Sequence, residues 1–496
     1  MTGPPVVEIP VVDHAPGLER AFSFVPAERT AERLRVEGGI PPFLRGTYYL
    51  NGPARFARGD VRYQHWLDGD GMVVALRFGD ENEGARLTAR FVRGTKLVDE
   101  EAAGRALYRA FGTSFPDDRL VRGIALESPL NVSIYPFGDA LLAFGEQGLP
   151  WELDPETLET RGVFTFGSAL NPVTPFAAHP KIDPQTGELF NFGISFSSAQ
   201  PSLNLYRFGA GGDLIYRRRL ALPEPRSIHD FCLAGRHVAF FLGPYRLDMD
   251  SLREGHTLLD SLRWEPERGS HLLVARRDDG GAVATVPVGE RYVLHGINAF
   301  EDPANGDHLI VDVLELDRPV YDQYNVPDLF PDVAPGRPVR LTVDLKTGTL
   351  VDRQEIAYDR APDFPAIDPE LAGRPYEDFW MLGISRTGCP GRKTFDQLVH
   401  ASWAHPGRVD VWQAPPGHYL GGEPAFAANP QGGGAVLCQR FDGASGDSAF
   451  LVFDAFDVAA GPVAVLPLDR PLHLGFHALF VDRFVRSPQT VSDPLR

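Results

Sequence analysis

Short apolar runs broken by turn residues set the rhythm of this chain. The stretch from Asn171 to Gly193, NPVTPFAAHPKIDPQTGELFNFG, shows the unit, with strand-like residues on both sides of Asp183-Pro184-Gln185-Thr186-Gly187. That pentapeptide reads as a tight turn: Asp accepts a backbone N–H, Pro presets φ and Gly tolerates positive φ. Leu153-Asp154-Pro155-Glu156-Thr157 and Val343-Asp344-Leu345-Lys346-Thr347-Gly348 repeat it. Gly46 to Leu50 reads as a short strand stopped by Asn51-Gly52-Pro53, and Met72 to Phe78 as an alternating strand. Weaker strand pairs at 203–221, 271–288 and 435–467 allow the chain to be cut into units of about 50 to 65 residues, the length of a four-stranded propeller blade. A less regular multi-sheet β protein is the alternative that the pattern leaves open.

Helical periodicity is confined to two stretches. Residues 97 to 112, LVDEEAAGRALYRAFG, space their apolar side chains as an amphipathic helix does, and Leu247 to Leu262 is a second candidate. Both lie between strands and are placed to cover one end of a β-rich body. Residues 1 to 35, Pro-rich and then polar, read as an N-terminal arm, with 36–496 as a single propeller domain carrying dome insertions. Asp68-Gly69-Asp70-Gly71 offers a choice between a calcium loop and a turn leading into the strand at Met72. The spaced ligand set of an EF-hand is missing, which favours the turn.

Composition agrees with an all-β reading. The 496 residues include 51 Gly and 44 Pro, so turns are frequent and long helices are disfavoured. A formal net charge of −18 opposes a nucleic-acid partner or an anionic membrane surface, while still allowing a local apolar docking patch. Cys232, Cys389 and Cys438 are far apart, which argues against a disulfide framework or a thiolate metal site. Without a basic segment followed by an apolar core at the N-terminus, and without a run of membrane-spanning length, the expected setting is cytoplasmic.

The histidines change the picture. Of the 14 present, His65, His237, His256, His308, His400, His405 and His418 stand in polar or turn contexts and read as surface or hydrogen-bonded residues. Four others recur in apolar, strand-like surroundings of different blades: His179 in FAAHPKID, His229 in RSIHDF, His295 in VLHGINAFED and His477 in LGFHALF. Taken singly, each is a core histidine. Together, on inner strands that all face one axis, they would make a metal site. Imidazole donors suit Fe, Cu, Ni or Zn, and each ring's second nitrogen needs an acceptor. Glu146, Asp363 and Glu423 are the acids embedded in apolar or Gly/Pro surroundings.

These segments, with IPPFLRGTYYLNGPARF, HWLDGDGMV, LLAFGEQGLPWELDPETLET, HPKIDPQTGELFNFG, GEPAFAANP and GFHALFVD, make the chain resemble the carotenoid cleavage oxygenase family over about residues 38 to 485. The family includes apocarotenoid oxygenases, stilbene-cleaving dioxygenases and the vertebrate retinoid isomerase. The resemblance implies a seven-bladed β-propeller with Fe(II) on its axis, under a dome of loops and short helices enclosing an apolar tunnel. It implies His179, His229, His295 and His477 as ligands, with Glu146, Asp363 and Glu423 behind them. It also implies O2 and an apolar, conjugated small-molecule substrate, cleaved at a C=C bond to two carbonyl products, and it leaves room for peripheral membrane contact.

The chain departs from the family pattern at three positions. Asp363 stands where Glu is usual, Val132 where many members carry Thr near the open iron position, and Gly145 where carotenoid branches carry an aromatic and stilbene branches a Lys. The loss of that Lys removes a partner for a phenolate. Val132, Gly145, Phe111, Phe115, Tyr321, Tyr324 and Phe330 are the expected tunnel residues. Cleavage of stilbenoid or phenylpropenoid olefins, isomerisation without O2, and a non-catalytic lipid- or protein-binding propeller with structural histidines are the alternatives.

Overall fold

The computed structural model of the chain describes residues 13–79, 84–121, 125–196 and 200–482. Its strands form seven antiparallel sheets of four or five strands, with two further two-stranded ribbons among the described residues. This is the expected seven-bladed propeller. The weaker strand pairs form as read: Ser202–Phe208 with Leu214–Ala221, Ser270–Arg276 with Ala282–Gly289, and Gly434–Asp442 with Ser448–Asp454 and then Pro462–Pro467.

The three Asp turns serve these sheets. Asp154 Oδ1 accepts the N–H groups of Glu156 and Thr157, Asp183 Oδ1 that of Gln185, and Asp344 Oδ1 those of Lys346 and Thr347. Each side chain thereby takes over backbone donors that the turn leaves without strand partners.

Two segments from opposite ends of the chain close the ring. Ala478–Val481 pairs with Gly46–Pro53, with Leu50 opposite Ala478, and so becomes an edge strand of the first sheet. Glu37–Gly38 pairs with Pro462–Pro467 at the outer edge of the last. The strand expected to end at Leu50 continues to Pro53, because Asn51 is paired rather than turning: its N–H donates to His477 O and its carbonyl accepts from Phe476. The arm is also less separate than its composition suggests. Arg29–Arg33 pairs with Ala85–Phe91 of the first sheet.

Both helices are shorter than the periodicity predicts. The first spans Thr95–Ala103 and ends at Gly104, whose φ of 65° is left-handed. Beyond it the Glu100 carboxylate accepts the N–H groups of Leu107 and Tyr108, holding an irregular segment to the helix. The second candidate yields only Met249–Arg253, capped by Asp248, and a 3-10 turn at Leu259–Ser261. The ends of that stretch are used instead by a hairpin, Tyr245–Leu247 against Leu262–Trp264. These pieces interlock with other loops over one face of the propeller: Trp66 N–H donates to Tyr324 O, and Leu259 N–H to Phe111 O.

Asp68 and Asp70 lead into the strand Gly71–Phe78, and both are buried and held by protein groups. Asp68 accepts from Gly112 N–H and Thr113 Oγ1, while Asp70 is paired with Arg58 and Lys96.

Candidate metal centre

The inner strands place the four histidines. His179 precedes Lys181–Ile182, His229 precedes Cys232–Leu233, His295 lies within Tyr292–Glu301, and His477 precedes Ala478–Val481. Register shifts re-aim several of the side chains involved: one lies between Val293 and Gly296, one between Asp363 and Ala366, and one between Gly421 and Ala425. His295 and Glu423 fall inside these bulges, which turn a side chain off the regular alternation of the strand, and Asp363, paired with Leu382, is the last regular residue before the bulge that holds Phe364.

The structure brings all four rings together. One nitrogen from each of His179, His229, His295 and His477 lies within 4.8 Å of the others, and all four residues are buried. The Nε2 atoms of His179 and His229 are 2.8 Å apart, and those of His229 and His295 3.2 Å. Outside this ring stand the three acids. Glu146 Oε1 is 2.8 Å from His229 Nδ1, Asp363 Oδ1 2.5 Å from His295 Nδ1, and Glu423 Oε2 3.2 Å from His477 Nδ1. Among the described residues no carboxylate meets His179.

This arrangement fits a divalent cation. A carboxylate at Nδ1 accepts that nitrogen's proton, which leaves Nε2 as a lone pair pointing inward. Two imidazole nitrogens about 2.1 Å from one ion and at right angles to each other would lie about 3 Å apart, in line with the separations seen. The acids behind the rings would offset part of the ion's charge in a poorly solvated centre.

Electrostatics keep most of the rings neutral. Burial, reinforced by the neighbouring imidazoles, holds His179 well below the usual histidine range, and burial followed by His229 brings His477 down to about 3. Burial also lowers His295 despite Asp363. His229 is the exception: burial opposes its proton, but the charge and hydrogen bond of Glu146 raise it. Among the acids, burial pushes Glu423 up to about 8, whereas for Asp363 burial is outweighed by His295, the Phe364 N–H and His477 together, which hold it low.

Two tyrosines from one 3-10 turn, Tyr321–Gln323 and its C-terminal neighbour, reach this shell. Tyr321 Oη donates to Glu146 Oε1 at 3.4 Å and lies 3.1 Å from His229 Nδ1. Tyr324 Oη donates to Asp363 Oδ2 at 3.2 Å. The hydroxyls of these two expected tunnel residues brace the acids. His65, from a polar sequence context, is buried and hydrogen-bonded to Tyr321 O, so it fixes this turn from behind.

The other expected tunnel residues divide. Phe111 packs on Tyr321 with ring centroids 5.2 Å apart, and Phe330 on Tyr324 at 5.4 Å. Val132 is buried beside the ring, its carbonyl accepting the His477 N–H. Gly145 is packed so closely that a Cβ there would lie 2.0 Å from Ser128 Oγ. Phe115 is half-buried, with its N–H on Asp118, and lines neither cavity of the site.

Of these two cavities, the one beneath the loops holds about 30 Å³, between Phe111, Leu126, Ser128 and Glu146. The other, about 610 Å³, lies along the axis on the opposite side of the histidines. Residues not singled out from the sequence take part here. Phe364, at a φ of 52°, lays its ring against His295 and His477, and Lys181 pairs with Asp230 at 2.8 Å inside the axial cavity. Lys181 and Asp230 belong to motifs already noted, HPKID and HDF, but charge pairing across blades leaves no mark on a linear sequence.

The retinal pigment epithelial membrane protein (RPE65) family matches residues 22–482. The chain belongs to that family, the carotenoid cleavage oxygenases. It is 30% identical to the apocarotenoid-15,15'-oxygenase of Synechocystis sp. over 88% of this chain and 91% of that one. It is 28% identical to the isoeugenol monooxygenase of Pseudomonas nitroreducens, over 91% and 94% of the two chains. Identity is also 28% to resveratrol cleavage oxygenase 1 of Aspergillus fumigatus, over 92% and 93%.

Solved structures of a variant of the Synechocystis apocarotenoid oxygenase and of the cobalt-substituted Synechocystis enzyme superpose with TM-scores of 0.85 and 0.84, each at 27% identity. They cover 95% and 94% of this chain, and 100% and 98% of their own. The chain is thus an oxygenase of the carotenoid cleavage type. No helix among the described residues is long and apolar enough to cross a membrane.

Proposed function

We propose that this carotenoid cleavage oxygenase uses Fe(II) and O2 to cleave a C=C bond of an apolar, conjugated olefin of the apocarotenoid class, giving two carbonyl products. The observation that carries the proposal is the buried ring of His179, His229, His295 and His477 with acids behind three of its members. When bound, iron would supply the electron density that triplet O2 needs to react with a closed-shell alkene. The protein's part is to hold four neutral nitrogens toward one point, to keep their outer N–H groups on Glu146, Asp363 and Glu423, and to exclude water with Phe111, Tyr321, Phe364 and Val132. No acid or base has to move a proton in the cleavage itself.

An apocarotenoid is favoured over a phenolic olefin by the packing at Gly145. Ser128 fills the space in which a lysine could meet a phenolate. The 30 Å³ cavity beside Phe111 is far below the roughly 300 Å³ of a small-ligand pocket, so binding a polyene requires the aromatic side chains there to move aside. The test is to incubate the anaerobically Fe(II)-loaded protein with apocarotenals and stilbenoids in air and to resolve the products. Cleavage of apocarotenals supports the proposal. An iron-replete protein that cleaves only stilbenoids, or no olefin at all, overturns it.

A further inference from the structure

The 610 Å³ cavity on the axis has walls from the inner strands of the blades, among them Lys181–Ile182, Cys232–Leu233 and Ala478–Val481, and His179, His295 and His477 at its inner end. Among the described residues its lining carries the carboxylates of Asp230, Asp368, Glu370, Glu423 and Asp482, against one amine, that of Lys181. Lys181 and Asp230 neutralise each other at 2.8 Å, and Glu423 stands behind His477, so among the described residues the remaining acids set the charge of the outer part. Glu370 and Asp482 are exposed there and Asp368 is partly so. The other approach to the ring is closed by aromatic packing: Phe364 lies on His295 and His477, with centroids at 5.6 and 5.1 Å, and Phe476 stacks behind it. An olefin and a hydrated cation therefore face different doors, one apolar and shut, the other wide and anionic.

We infer that the axial cavity is the loading route of the divalent cation, with Asp368, Glu370 and Asp482 drawing the ion in and the histidine ring as its end point. The inference rests on the metal-centre reading above. A low-dielectric passage lined by one sign of charge raises the local concentration of counter-ions and their association rate, by about 10-fold or more, and the gain fades as salt screens it. The Lys181–Asp230 pair limits this attraction at the neck, so the ion meets neutral imidazoles without first being trapped by a bare carboxylate.

The experiment follows Co(II) uptake by the metal-free full-length chain, through its visible absorption, over a range of ionic strengths. The variant D368N/E370Q/D482N changes only exposed or partly exposed side chains and keeps a capping oxygen at residue 368, whose side chain accepts the Glu370 N–H. It should still take up one equivalent, but load about tenfold more slowly at low salt and lose most of its salt dependence. A second variant, Ala366→Phe, narrows the passage, and it should slow loading and chelator-driven release together. Parent-like rates and salt dependence in both variants would overturn the route while leaving the metal centre intact. A parent chain that takes up no cobalt would overturn the metal centre and the route with it.

Discussion

Tyr324 donates to Asp363 Oδ2 at 3.2 Å while Oδ1 of the same carboxylate lies 2.5 Å from His295 Nδ1. Asp363 also accepts the N–H of Phe364, so its short side chain is fixed from three directions. This short side chain reaches its histidine with its near oxygen while a tyrosine holds the far one. Removing a partner behind a metal-binding histidine commonly costs 10- to 100-fold in affinity. Tyr324→Phe should weaken Fe(II) binding by about tenfold, measured by competition with a chelator. Asp363→Glu in the same background should recover part of the loss, because the longer side chain relies less on the tyrosine. Unchanged affinity in Tyr324→Phe would show that the contact does not position His295.

His295→Ala separates a metal centre from a set of structural histidines. With three rings left, bound iron should fall from about one equivalent per chain to near zero, while the far-ultraviolet circular dichroism of the all-β body persists. Elemental analysis of the purified protein reads the outcome. A variant that kept both iron and olefin cleavage would count against the four-histidine assignment.

Ring closure makes the C-terminus a joint structural and chemical requirement. Ala478–Val481 pairs with Gly46–Pro53, and His477 immediately precedes it. Truncation before Leu472 removes that strand and one of the four clustered histidines together, and it leaves Asn51 without its partners on Phe476 and His477. Loss of both metal binding and cooperative thermal unfolding is expected. An iron-replete truncated protein with a sharp transition would refute this.

Acid stability should depend on Asp70. Burial alone would raise its pKa, but Lys96 and Arg58 outweigh it and hold the carboxyl below its ordinary value of 3.8. A group depressed in the folded state contributes stability that is present above its unfolded pKa and is lost as the pH falls through the folded one. The wild type should therefore lose stability below about pH 4, on top of any general acid unfolding. Asp70→Asn should cost about 3 to 5 kcal/mol near neutrality, because it leaves two buried cations underpaired, and its stability should fall less steeply below pH 4. Denaturant titrations at several pH values read both effects.

At Gly145 the prediction concerns packing. A Cβ would press on Ser128 Oγ, so Gly145→Ala should destabilise by about 1 to 3 kcal/mol as an overpacked site does. Ser128→Gly should relieve most of that cost in the double variant. If the single substitution were neutral in thermal melts, Ser128 would not be the residue that fills this space.

The repeat of strands and turns was legible in the linear chain, and so were the identities of the histidines that meet. Both depend on local chemistry: Asp154, Asp183 and Asp344 each satisfy backbone donors two or three residues away, and an imidazole among apolar neighbours stands out at its own position. Helix ends are not legible in the linear chain, because their limits depend on groups elsewhere. Gly104 stops a helix whose apolar spacing continues past it, and the end of the second candidate is claimed by a hairpin with Tyr245–Leu247.

What only the tertiary structure decided is where side chains aim and what they meet. Regular alternation along a strand cannot say that His295 and Glu423 lie in bulges, or that one follows Asp363, since a bulge arises from how two strands are paired. Nor can it say that Tyr324 braces Asp363, that Lys181 is neutralised by Asp230, or that Ser128 fills the space beside Gly145. Those contacts join residues tens of positions apart, and their energies come from proximity and burial that exist only once the ring has closed.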